Sequence, residues 1–258
     1  MAVLRQEASA SLSDFHTLRE RFVSAIFADT SLESKEGIGG LAEKTLHRVL
    51  KTYLEPDSTY HEVEVLGKVA DICRDGHIYE IQRASFSHLI PKLSVYLDDY
   101  SVDIVHPIIA KKRIRWIDTD SGEIGEGGRY FSYHSIYDTG RELFSISEFL
   151  LRPGVRVILP FVKCDEYRYL DGKGKSKRIK ASKIEMMPID LLDQITLSKR
   201  EDYLIFLPDS LSDSFTAEEY KRSIRSRSRY SYYCLRLLLS LGILRREKEG
   251  RAYRYYRV

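Results

Sequence analysis

Three short runs rich in β-forming residues, His61 to Val65, Val69 to Cys73 and Ile78 to Gln82, predict neighbouring strands. Asp75-Gly76 lies between the last two as a two-residue hairpin turn. That turn puts Arg74 opposite His77, and Asp71 opposite Glu80. Helical spacing precedes and follows this meander. Leu18, Phe22, Val23 and Ile26 mark a helix from Phe15 to Phe27, an accessory packing element. Gly37-Ile38-Gly39-Gly40 leads into a second helix whose apolar side is Leu41, Ala42, Leu46, Val49, Leu50 and Tyr53, with Pro56 after its end. After Gln82, Leu89, Ile90, Leu93, Leu97 and Tyr100 predict a further helix. Pro91 is accommodated there if Ser87 is the N-cap, because the first helical N–H groups have no intrahelical partner. Strands follow over Val102 to Ile109 and Arg113 to Ile117. The order helix, three strands, helix, strand predicts an α/β (α+β) core of two layers.

Residues 118 to 212 are less legible. Gly122, Gly125, Gly127 and Gly128 mark a loop, Tyr137 to Leu151 suits a helix and Val155 to Leu170 a strand. The basic run Gly172 to Lys180 is either a phosphate-backbone contact or a solvated loop. From Ser214 the composition changes. Thr216 caps a helix through Tyr220 and Ile224, a second helix runs from Arg229 to Leu241, Gly242 ends it, and two strands flank Glu249-Gly250.

With 258 residues, 43% hydrophobic and 31% charged, the chain has room for one large domain or for a medium one and a small one. No apolar run approaches the roughly 20 residues needed to span a membrane, and the start lacks a charged stretch followed by an apolar one, so a cytoplasmic location is expected. Cys73, Cys164 and Cys234 stand too far apart for a zinc site or a disulfide framework, which leaves three reduced thiols. The net charge of +3 conceals an asymmetry: Asp213 to Val258 holds 12 Lys or Arg against 5 Asp or Glu, leaving 29 against 33 in the rest. The tail would attract a polyanion.

Chemistry concentrates at the hairpin. Asp71 and Glu80 face one another on a strand pair that is otherwise apolar, and alternation puts Gln82 beside Glu80. Opposed carboxylates destabilise a sheet unless a cation lies between them, and Mg²⁺ needs only one or two protein carboxylates. The alternative is a solvent-facing pair whose acids are merely hydrated. Glu43 flanks the apolar stripe of the second helix, with His47 one turn on, and becomes a third carboxylate only if that helix crosses the hairpin. The glycines before it lack the Lys-Ser/Thr ending of a phosphate loop. No Ser-His-Asp arrangement is legible around the seven histidines.

A glutamate on a first helix, an aspartate on the second strand, Glu-x-Gln on the third, then a helix and a strand: this order resembles the PD-(D/E)xK nuclease superfamily over Gly37 to Ile109. YEIQ followed by an amphipathic helix, with a C-terminal helix-helix-hairpin similar to a winged helix, also looks like uncharacterised prokaryotic members. The resemblance implies a restriction-endonuclease-like mixed sheet flanked by helices (1–212, core about 33–117) and a winged-helix domain (213–258). It implies Asp71 and Glu80 as metal ligands, Glu43 as an accessory ligand or water-positioner, and Mg²⁺ or Mn²⁺ as cofactor. Gln82 stands where most members have lysine, and an amide supplies no positive charge to a developing phosphorane. Lys68, Arg83 or Lys92 would have to supply it, Lys92 being favoured because its helix follows the strand. Arg225, Arg227, Arg229 and Arg236 would face nucleic acid, with Arg251 and Arg254 near the wing. The expected activity is metal-assisted hydrolysis of DNA, double-stranded for preference. A homodimer would cut both strands, although no dimer surface is legible. The rival expectation is a DNA-binding regulator or scaffold that has lost its chemistry.

Overall fold

In the computed structural model, residues 12–29, 45–172, 181–224 and 228–258 are described. Helices α1 (Leu12–Ala28) and α2 (Thr45–Leu54) precede strands β1 (His61–Val65), β2 (Lys68–Arg74) and β3 (His77–Ile81), then α3 (Ile90–Tyr96), β4 (Ser101–Val105) and β5 (Ile108–Ile117). The two-residue strand β6 (Phe131–Ser132), α4 (Gly140–Ser145) and the long antiparallel pair β7 (Val155–Tyr169) and β8 (Ser182–Leu197) follow. The chain ends in β9 (Ser214–Thr216), α5 (Ala217–Ser223), α6 (Ser228–Ser240), β10 (Leu244–Glu249) and β11 (Ala252–Arg257). The class is α+β, with a mixed sheet flanked by helices.

The meander forms as its residues dictate. Asp75 and Gly76 both have positive φ, 49° and 78°, the sign that a type I′ turn demands at both central positions. Pairing runs Arg74↔His77, Cys73↔Ile78 and Ile72↔Tyr79. A second turn with positive φ, Leu66-Gly67, joins β1 to β2. β3 then pairs parallel with β4 through the crossover helix α3, and β4 pairs parallel with β7.

β4 and β5 run in succession along the same flank of β7, the first beside Val155 to Ile158 and the second beside Phe161 to Tyr169. The register on either side of the interruption puts Pro107 level with Pro160. Neither has an N–H to give, so the ladder cannot continue through that level. The outer neighbour changes at the same place, from β3 beside β4 to β6 beside β5.

Each face of the sheet carries its own core. Phe22 of α1 and Leu46, Val49, Leu50 and Tyr53 of α2 pack on Ile81, Val105, Val162 and Leu191. On the other face Phe86, Leu93 and Tyr96 cover Ile78, Val102 and Ile104. That core continues without a break into Phe215, Tyr220, Cys234, Leu237 and Leu238. The C-terminal unit is thus packed on the sheet rather than tethered beside it: Cys234 Sγ donates to the Tyr137 carbonyl (3.3 Å) and Arg200 Nε to that of Leu241 (3.0 Å). Thr216 and Glu219 form a capping box at α5, and Gly242 stops α6 at a φ of 66°.

Three expectations need correction. Ser87 does not cap α3; it lies inside a 3₁₀ turn, Phe86–Leu89, and the helix starts after Leu89 with Pro91 in its first turn. The helix expected from Tyr137 to Leu151 is a 3₁₀ turn followed by the six residues of α4. β8 is a full strand in a stretch that sequence left unassigned. Leu41, Ala42 and Glu43, and the basic run from Lys173 to Lys180, lie outside the described residues. Among the described residues no helix is long and apolar enough to cross a membrane.

Candidate functional site

The last backbone pair of the hairpin ladder is Ile72↔Tyr79, and beyond it the strands begin to separate. Asp71 uses the opening. Its Oδ2 accepts the Ile81 N–H at 2.7 Å, a bond from a side chain where a ladder carbonyl would otherwise serve. Its Oδ1 lies 3.4 Å from Nε2 of His47, which α2 brings across the sheet. Burial opposes ionisation of Asp71, but the histidine, the Ile81 N–H and the nearby Lys92 outweigh it and hold the carboxyl below its ordinary range.

Glu80 is only 2% exposed. Both of its carboxylate oxygens accept from Lys92 Nζ, at 2.9 and 2.8 Å, and the same ammonium donates to the Val69 carbonyl at 2.6 Å. α3 begins at Ile90, two residues before Lys92, so the start of that helix sets where the ammonium falls. Desolvation nevertheless dominates: burial, with Asp71 adding repulsion, pushes the Glu80 carboxyl up to about 7 in spite of the lysine. Two acids a few residues apart in space therefore have carboxyls displaced in opposite directions, a property of sites that move protons or hold charge.

The sequence leaves two answers for the opposed carboxylates, a metal or solvent; instead Lys92 pairs with Glu80 and His47 lies against Asp71. Oxygen donors of this kind still fit a hard divalent cation, which would enter by sharing Glu80 with the lysine. Among the described residues no group of three or more His, Cys, Asp or Glu converges on one point. Gln82 is turned away from the cluster, its amide donating to the Ala84 carbonyl. Lys92 is brought to the acids; Gln82 is not. Arg83 lines a separate cleft, and Lys68 is exposed at the start of β2.

A contact missed in the sequence lies at the other end of these strands. His77 has Nδ1 2.6 Å from Ser101 Oγ and Nε2 3.0 Å from Asp103 Oδ2, a serine, a histidine and an aspartate in line. Arg156 already grips Asp103 in a fork at 2.7 and 2.6 Å. With its acid so committed, the trio reads as a tie between β3, β4 and β7 rather than an activated nucleophile. It depends on the parallel register of β3 and β4, which no local signal fixes, since Ser101 and His77 are 24 positions apart.

The expected nucleic-acid face is partly committed elsewhere. Arg225 and Arg227, and the side chain of Arg229, lie outside the described residues. Arg236, exposed on α6, lies over the Phe144 ring of α4 at 4.5 Å and donates to the Tyr232 hydroxyl at 3.0 Å. Arg254 pairs with Glu249 at 2.8 Å. Arg251 is exposed at the β10–β11 turn.

Comparison with known proteins adds a family without a function. A family model described as "Domain of unknown function (DUF8091)" matches residues 44–198, from the start of α2 to the end of β8. An uncharacterised protein of Treponema pallidum (strain Nichols) is 26% identical over 197 residues, covering 71% of this chain and 76% of that protein. No solved structure matches the chain.

Proposed function

The chain belongs to the DUF8091 domain family, and from that premise we propose that it is a metal-dependent nuclease acting on DNA phosphodiesters, with Asp71, Glu80 and Lys92 as its centre. The observation that carries this reading is the ammonium of Lys92 seated on both oxygens of Glu80, beside Asp71. An aspartate, a glutamate and a lysine from three successive elements make up the set that the PD-(D/E)xK resemblance requires. The lysine comes from the helix after the strand, in place of Gln82. The element order α2, β1 to β3, α3, β4 supports the same reading.

Asp71 and Glu80 would hold Mg²⁺ or Mn²⁺, which when bound polarises a phosphate and lowers the pKa of water. Lys92 donates to an oxygen of the scissile phosphate and offsets charge as it develops. Glu80, with its carboxyl near 7, can take or release a proton at neutral pH. His47 fixes Asp71, and the Ile81 N–H holds its second oxygen. The test is incubation with linear, plasmid and single-stranded DNA in Mg²⁺ or Mn²⁺, beside Asp71→Ala, Glu80→Ala and Lys92→Ala. Cleavage by wild type and loss in all three supports the proposal; cleavage surviving in all three overturns it.

One observation favours a scaffold without chemistry: both acids already have partners, Lys92 on Glu80 and His47 against Asp71. A calorimetric Mn²⁺ titration separates the two readings, since a scaffold needs no ion and would show no saturable heat that Asp71→Ala removes. Weakening of DNA affinity as salt rises would identify phosphate contacts.

A further inference from the structure

The interruption of the sheet at His106-Pro107 opens a cleft of about 460 Å³ between the end of β3, the segment after β6, α4 and α6. That volume lies in the range of roughly 300–1,000 Å³ usual for small-molecule sites. Crevices at points where strand neighbours change are a recurrent ligand position in α/β sheets.

The lining sorts into three chemistries. Arg83 and Arg141 supply positive charge, and neither has a carboxylate partner among the described residues. The two acids of the wall are occupied: Asp138 accepts from the Ser135 N–H at 2.7 Å and Glu142 from the Phe86 N–H at 3.0 Å. Tyr133, 45% exposed, and Tyr233 of α6 line the wall with aromatic rings, Tyr133 with Lys112 Nζ 3.4 Å over one face and Tyr233 leaning on Phe144. His106 is buried, with Nδ1 2.8 Å from the Gln82 carbonyl. A carbonyl can only accept, so Nδ1 carries the proton and neutral Nε2 is left as an acceptor. Burial holds this imidazole below its ordinary pKa and keeps it neutral.

Uncommitted guanidinium groups suit a phosphate, aromatic faces suit a base, and a neutral ring nitrogen suits an amine or hydroxyl donor. We infer that this cleft binds a nucleoside 5′-phosphate, with Arg83 and Arg141 on the phosphate and the tyrosines against the base. The unit comes either as a free mononucleotide or as the 5′-terminal nucleotide of a strand. The second source deepens the nuclease proposal and rests on it, because Gln82 connects the floor of the cleft to the strand that carries Glu80.

The test is binding by the full chain in EDTA, so that no metal-dependent cutting intervenes. The probes are thymidine 5′-monophosphate, a 5′-phosphorylated dodecathymidylate and its 5′-hydroxyl counterpart. The variants are Arg83→Gln/Arg141→Gln, Tyr233→Ala and Glu80→Gln, each checked for an unchanged circular dichroism spectrum. A lost charge-assisted contact costs about tenfold in affinity or more. The expected result is saturable binding of both phosphorylated probes, weakened at least tenfold in the double-arginine variant and retained in Glu80→Gln. Equal affinity for the monophosphate and the phosphorylated strand assigns the free nucleotide; a much tighter strand assigns the terminus. Binding that ignores the 5′-phosphate, survives the double substitution, or never saturates overturns the inference. Phosphate-dependent binding in a chain that cuts no DNA would uphold the cleft while removing the nuclease proposal.

Discussion

Replacing Lys92 by methionine keeps most of the side-chain volume and removes the ammonium from Glu80. The wild-type glutamate has its carboxyl raised from 4.5 to about 7 by burial. A folded-state pKa raised in this way gives stability that is complete below about 4.5 and falls away as the pH climbs to about 7, where both folded and unfolded chains have lost the proton. Lys92 is what allows ionisation to finish there. Without its two bonds at 2.9 and 2.8 Å the carboxyl stays protonated to higher pH, and the loss of stability continues at about 1.4 kcal/mol per pH unit. The gap between wild type and Lys92→Met therefore widens by about 2 kcal/mol between pH 6 and pH 8.5. Urea unfolding at the two pH values measures it. A gap that is the same at both, within about 0.5 kcal/mol, would refute the claim that the lysine holds an ionised, buried glutamate.

Asp71→Asn removes a carboxylate held low by His47 and the Ile81 N–H; it is expected to cost about 1–2 kcal/mol of stability and to abolish Mg²⁺-dependent cleavage, read by plasmid nicking. Gln82→Ala, whose amide faces Ala84, is expected to leave the nicking rate within about threefold. Gly140→Ala places a Cβ 2.5 Å from Cys234 Sγ and 3.0 Å from its backbone nitrogen, so thermal denaturation should show a loss of about 1–3 kcal/mol. A stability equal to wild type would mean that α4 and α6 are not as closely seated as described.

Local signals carried well where one short segment decides the outcome. Asp75-Gly76 specified its turn and register, and Thr216 specified the start of α5, because both depend on residues within four positions. β8 escaped notice because Pro188 sits within it. A proline reads against a strand, yet here it falls at a register shift opposite Cys164 where the ladder is irregular. Ser87 was a reasonable cap by type, but Ser85 takes a left-handed φ of 60° and a 3₁₀ turn consumes the next four residues. At the site, proximity of Asp71 and Glu80 followed from the hairpin alone. That Lys92 would pair with Glu80 depended on where α3 begins, and that His47 would reach Asp71 depended on how α2 crosses the sheet. Both are tertiary outcomes with no local signature.

The continuity of the core across α4 and α6 bears on how the molecule can be divided. Trimming the chain after residue 198, where similarity to its family ends, would strip Phe215, Tyr220 and Leu237 from the apolar surface they cover. What remained would be a sheet with one flank wet and greasy, prone to clump. The segment that matches the family is, in this protein, expected to lean on its C-terminal neighbour to keep that surface covered.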